Sequence, residues 1–163
     1  MSRSTSLFTI VLHRPQIPQN TGNIVRTCSV MGADIVLVDP QFSLSDRHLK
    51  RAGLDYWEGV SCNREDTLED WLGKWSGPVY FFSSKASHLY TEADYTAGGA
   101  LIFGSETEGL PEFVWKQYAT DFYTIPMRPL ARCLNLATSV GIVAYEAWRQ
   151  WGFLGNRMQE SSS

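Results

Sequence analysis

Three segments of the chain gather residues capable of chemistry, and each follows an apolar run: SSKAS (83–87), GSETEGLP (104–111) and PMRPLARCLN (126–135). All three are rich in small residues, which let backbone amides and carbonyls come close to a ligand. In parallel α/β sheets, ligands sit outside the carboxyl ends of the strands. Three such loops therefore make one candidate binding region. The second loop carries Glu106 and Glu108, two positions apart, a spacing that on a loop does not fix whether they face one another. The third carries Arg128 and Arg132 between prolines and the start of the longest helical stretch.

A fourth segment, DRHLKRAGLDYW (46–57), is the most basic of the chain, with Arg47, Lys50 and Arg51 followed directly by Tyr56 and Trp57. Cations beside aromatic rings hold phosphate and stack a base. The same run also reads as an ordinary solvated helix face.

Familiar chemistries are missing. No G-x-G-x-x-G follows the first strand and no G-x-x-x-x-G-K-[ST] occurs, so neither dinucleotide nor P-loop phosphate binding is indicated. No Ser-His-Asp order is visible. His13, His48 and His88 stand alone, and no metal-ligand spacing appears, so no metal is expected. Cys28, Cys62 and Cys133 are odd in number and far apart, which fits reduced cytosolic thiols rather than a disulfide framework. The net charge of -3 argues against a general polyanion binder. Any contact with nucleic acid must rest on a local basic patch.

The elements that would position these loops follow from periodicity. At 163 residues, 44% hydrophobic and 19% charged, the chain suits a single globular domain. That domain is read as 7–154, with disordered tails at 1–6 and 155–163. LFTIVL (7–12), DIVLV (34–38), VYFFS (79–83) and ALIFG (100–104) are near-continuous apolar runs, the mark of strands buried on both faces. Phe122 to Ile125 is a last strand. Asn20 or Thr21 is the expected cap of a helix running to Met31, with Gly32 as its stop. Thr67 to Trp75 and Pro111 to Tyr118 read as further helices, the tryptophans of the first as core. Strands alternating with helices predict an α/β fold with a mostly parallel sheet. The final helix, ending near Trp151, is apolar on more than one face, which suits packing against both a sheet and a partner subunit; the same pattern also reads as a plain core helix closing a monomer. No apolar run is long enough to span a bilayer and no signal peptide is evident, so a cytoplasmic protein is expected.

IPQNTGNIVRTC (17–28), LIFGSETEGLP (101–111) and IPMRPLARCLNLATSVGIVAYEAW (125–148), in that order, resemble the three signature motifs of the SPOUT-class 2′-O-ribose methyltransferases. The basic stretch 46–57 strengthens the likeness to the small single-domain (TrmL-like) subgroup that modifies the wobble nucleotide, position 34, of tRNA. The resemblance implies S-adenosyl-L-methionine as methyl donor, tRNA as substrate, a homodimer with the active site at the subunit interface, and a C-terminal trefoil knot. It implies catalytic roles for Arg26, Asn20, Glu106 and Asn135. It implies cofactor contacts at Phe82, Gly104, Gly109, Ile125, Cys133 and Leu134. Arg47, Lys50, Arg51, Arg128 and Arg132 are the candidate RNA-binding residues. Cys133 stands where the family usually has serine, and Ala137 and Thr138 where Ser-Asn is common. Two further readings are therefore carried: a ribose methyltransferase acting on another RNA, and a weakened fold that binds without turnover.

Overall fold

The computed structural model describes residues 6–43 and 60–160. The basic segment holding Arg47, Lys50 and Arg51 lies outside the described residues.

Strands β1 (Thr9–His13), β2 (Asp34–Val38), β3 (Cys62–Glu65), β4 (Val79–Phe82), β5 (Ala100–Phe103) and β6 (Phe122–Tyr123) form one sheet in the order β3-β2-β1-β5-β4-β6. Every neighbouring pair is parallel. The alternation of side chains along each strand explains the apolar runs. Ile10, Leu12, Ile35 and Leu37 enter one core, while Val11, Val36 and Val38 enter the other.

Helices α1 (Pro18–Met31) and α4 (Leu136–Gln150) close the first face with Ile24, Val25, Cys28, Val140, Val143 and Ala144. Helices α2 (Leu68–Lys74) and α3 (Glu112–Gln117) close the second with Leu68, Trp71 and Val114. Thr67 caps α2 by accepting from the Asp70 N–H, and Trp71 is core as its apolar spacing indicated. The mostly parallel α/β architecture read from the sequence is the one observed.

Several local expectations need correction. Helix α1 begins at Pro18 behind Ile17, so neither Asn20 nor Thr21 is its cap; both lie buried in its first turn. Proline suits that first position because its missing N–H is not needed there. Strand β3 was not foreseen, because CNRE is short and polar and carries no hydrophobic signal; it sits at the sheet edge, where such residues are tolerated. The last strand is shorter than 122–125, spanning only Phe122–Tyr123. The tail expected to be disordered from 155 carries a short helix, α5 (Arg157–Glu160). Its entry is held by the Gly155 N–H donating to Gln159 Oε1 at 2.8 Å and the Met158 N–H donating to Asn156 Oδ1 at 2.8 Å. Upstream, Trp148 Nε1 donates to the Leu154 carbonyl at 2.9 Å and its ring meets Phe153 edge-on. Part of the second apolar face of α4 is thus covered by the chain's own C-terminal turn.

Candidate active site

Strand order reverses direction at β1 and β5, and the crevice beyond their carboxyl ends is where an open parallel sheet binds ligands. The loop after β5 turns back sharply there. The Gly109 N–H donates to the Ser105 carbonyl at 3.3 Å, and the Ser105 N–H to the Gly109 carbonyl at 3.4 Å. A Cβ on Gly104 would lie 2.2 Å from the carbonyl carbon of Gly109, so no larger residue fits. Gly109 has φ +69°, a left-handed conformation that glycine adopts without strain. Ser105 Oγ accepts from the Glu108 N–H at 2.9 Å and completes the turn.

This loop is pinned to the start of α1. Glu106 Oε2 accepts from the Gln16 N–H at 2.7 Å, and Oε1 from the Ile17 N–H at 3.5 Å. Thr107 Oγ1 donates to Gln16 Oε1 at 2.9 Å. Glu108 turns the other way and pairs with Arg14 at 3.6 Å, which also meets Asp39 at 3.3 Å. The two glutamates therefore have separate partners rather than facing each other. The carboxylate of Glu106 supplies, from far along the chain, acceptors for backbone donors at the entry to a helix that has no side-chain cap of its own.

The third loop joins the same place through Asn135. Its Oδ1 caps α4 by accepting from the Ala137 N–H at 2.8 Å and the Thr138 N–H at 3.4 Å. Its Nδ2 donates to Asn20 Oδ1 at 2.9 Å. The cap uses only backbone groups of Ala137 and Thr138, so it does not depend on their side chains.

Between these loops lies a cleft of about 570 Å³, walled by Phe82, Phe103, Leu110, Trp115, Ile125 and Leu136. Its size is that of a small-molecule site. The sequence candidates Phe82, Gly104, Gly109, Ile125, Cys133 and Leu134 all line it, and so do Asn20, Glu106 and Asn135. Arg26 does not; it is exposed further along α1. Arg128 and Arg132 are exposed on the loop whose Met127, Cys133 and Leu134 line the cleft, and so stand at its lip.

Trp115 and Lys85 are among the lining residues that the sequence does not single out. Trp115 sits on a helix with ordinary core periodicity and stacks on Phe122 at 3.7 Å between ring centres, which disguises its exposure to the cleft. Lys85 was visible only as the single cation of SSKAS.

Burial also sets the local acid–base chemistry. His13, at the end of β1, is held below the usual imidazole range by burial and then by the Arg14 cation. The Cys28 thiol is pushed up to about 12 by burial, with further push from Cys62 and Asp34; burial pushes Cys62 up to about 12 as well. Cys133 is exposed. Among the described residues, no group of three or more His, Cys, Asp or Glu is arranged to hold a metal ion.

Residues 7–145 match the family described as SpoU rRNA methylase. The tRNA (cytidine(34)-2′-O)-methyltransferase of Methylovorus glucosotrophus (strain SIP3-4) is 41% identical over 152 residues, covering 91% of this chain and 99% of that protein. A solved structure described as giving insights into the 2-OH methylation of C/U34 on tRNA superposes with a TM-score of 0.85 at 39% identity, covering 92% of this chain and 99% of the other. An AdoMet-bound rRNA methyltransferase from Sinorhizobium meliloti superposes with a TM-score of 0.79 at 27% identity, over 91% of this chain and 58% of the other.

Proposed function

The chain belongs to the SpoU rRNA methylase family, and we propose that it transfers a methyl group from S-adenosyl-L-methionine to the ribose 2′-hydroxyl of the wobble pyrimidine, position 34, of tRNA. The observation that carries this reading is the convergence of Phe82, Gly104, Gly109, Ile125, Cys133 and Leu134 with Asn20, Glu106 and Asn135 on one cleft.

The residues present fit the donor. Gly104 and Gly109 bring bare backbone to the cleft, and Phe82, Phe103 and Ile125 offer apolar wall to an adenosine. The AdoMet-bound relative supports the same choice. When bound, S-adenosylmethionine supplies an electrophilic methyl group on a sulfonium. The protein's task is to hold the attacking oxygen in line with that group and to keep water away. Glu106 and the Asn20–Asn135 pair fix the loops that form the cleft against α1. A guanidinium is a poor base, so Arg26 serves by stabilising the negative charge that develops on the ribose oxygen as its proton passes to water.

Arg26 lies outside the cleft of its own chain, which supports a homodimer in which this arginine serves the site at the subunit interface. Val30 on α1, 64% exposed, and Tyr145 on α4, 42% exposed, suit such an interface. The C-terminal trefoil knot is part of this proposal. After β6 the chain pairs with the 88–90 loop, with the Thr124 N–H donating to the His88 carbonyl at 2.7 Å, before α4 returns to pack beside α1. Arg47, Lys50 and Arg51 together with Arg128 and Arg132 are the proposed RNA contacts, and the cytoplasm is the proposed site of action. Among the described residues no helix is long and apolar enough to cross a membrane.

The test is nucleoside mass spectrometry of tRNA lacking the modification, incubated with the protein with and without S-adenosylmethionine. A cofactor-dependent 2′-O-methylated pyrimidine mapped to the wobble position is the expected result. Cofactor binding without any new methylated nucleoside in tRNA would overturn the assignment.

A further inference from the structure

Leu130 is 105% exposed and has φ +67°. It is the third residue of a β-turn in which the Ala131 N–H donates to the Arg128 carbonyl at 3.2 Å and Pro129 is second. This is the pattern of a type II turn, whose third position favours glycine because a Cβ there is strained. Leucine here accepts backbone strain and buries nothing in return within the chain. An outlier of this kind, at the lip of a functional cleft, points to a role outside the fold. Arg128 and Arg132 stand two residues to either side, both exposed, and Met127, Cys133 and Leu134 of the same loop line the cleft.

We propose that Leu130 is an apolar wedge that packs against a nucleobase next to the target nucleotide and helps splay the target ribose into the cleft. This rests on the RNA-methylating reading above. The flanking charges select the occupant. Seating Leu130 in an apolar face of a second protein copy would draw two arginines out of water without partners, which is costly. A nucleic acid offers phosphates to the arginines and a base face to the leucine at the same time. Aliphatic side chains inserted between bases are an established way of unstacking them.

The experiment compares the full-length protein with Leu130→Gly and Leu130→Asn, two residues that tolerate positive φ and so keep the turn. The probe is an anticodon stem–loop RNA carrying 2-aminopurine beside the target nucleotide. Wild type should raise the 2-aminopurine fluorescence on binding, and both variants should lose most of that rise. Their RNA affinity should fall about five-fold, with cofactor affinity and sedimentation unchanged and the melting temperature no lower, since the turn's strain is relieved. Wild-type affinity and fluorescence in both variants would overturn the wedge alone. A change of oligomeric state in the variants would overturn it in favour of a subunit contact. Failure of the wild-type protein to bind or methylate the RNA would overturn the parent reading, and the wedge with it.

Discussion

Asn135 Nδ2 donates to Asn20 Oδ1 at 2.9 Å, joining the first turn of α1 to the cap of α4 across 115 positions of chain. The same side chain spends its oxygen on two backbone donors of α4. Asn20 is only 5% exposed, so its amide has little access to water if Asn135 is removed. One side chain therefore supports a helix start, a buried amide and the floor of the cleft.

Asn135→Ala should lower unfolding stability by about 2 kcal/mol, roughly half from the lost cap and half from the unmatched Asn20 amide. Asn20→Ala should cost less, and the double variant should be less destabilised than the sum of the two by about 1 kcal/mol. Urea denaturation of the four proteins measures this. Strict additivity would show that the pair is not energetically coupled.

Gly104→Ala places a methyl group against the backbone of Gly109, where neither side can give way without opening the turn. Cofactor affinity measured by calorimetry should fall more than about ten-fold, with a stability loss of about 2 kcal/mol from overpacking. Gly73→Ala is the control. A Cβ there meets nothing within 4 Å, so stability should rise by about 0.5–1 kcal/mol through helix propensity. A normal affinity in Gly104→Ala would remove this turn from the cofactor site.

The three cysteines should react unequally. Only the thiolate attacks an alkylating agent. With the Cys28 and Cys62 thiols pushed up to about 12, about one part in ten thousand is ionised at pH 8. Iodoacetamide should therefore label exposed Cys133 first, and S-adenosylhomocysteine should slow that labelling, because Cys133 lines the cleft. Peptide mass spectrometry follows both. Labelling of Cys133 that the cofactor product leaves unchanged would place the thiol away from the bound ligand. Cys133→Ser should keep cofactor affinity and change the methylation rate only a few-fold. A gain of more than about ten-fold would instead mark the thiol as an impairment of this chain.

Arg26→Ala should leave cofactor affinity intact, since its proposed contact is the ribose oxygen rather than the cofactor and it does not line the cleft of its own chain. Methylation should fall about 100-fold or more if the guanidinium stabilises developing charge on the ribose oxygen. Single-turnover assays at saturating cofactor separate the two effects. Full activity would take Arg26 out of the mechanism.

Much of this is legible in the sequence. The apolar runs at 7–12, 34–38, 79–83 and 100–104 announced doubly buried parallel strands, because a residue's burial on a sheet is written in its local pattern. The ordered motifs around Asn20, Glu106 and Asn135 pointed to the family. Strand β3 left no such trace, because an edge strand of polar residues buries too little to shape its composition. The ordering of the C-terminal turn was equally hidden. It follows from Trp148 finding a carbonyl acceptor at Leu154, a contact that periodicity does not encode.

The division has one physical cause. Sequence alone determined the buried strands, the main helices, their alternation and the residue types at three strand ends, since these depend on neighbours a few positions away. Only the tertiary structure decided that Glu106 serves the backbone of Gln16 and Ile17, that Asn135 reaches Asn20, that Trp115 opens onto the cleft and that Leu130 stands bare on a strained turn. Those facts depend on which distant donors and surfaces the chain path brings within hydrogen-bond reach, and on which it leaves in water.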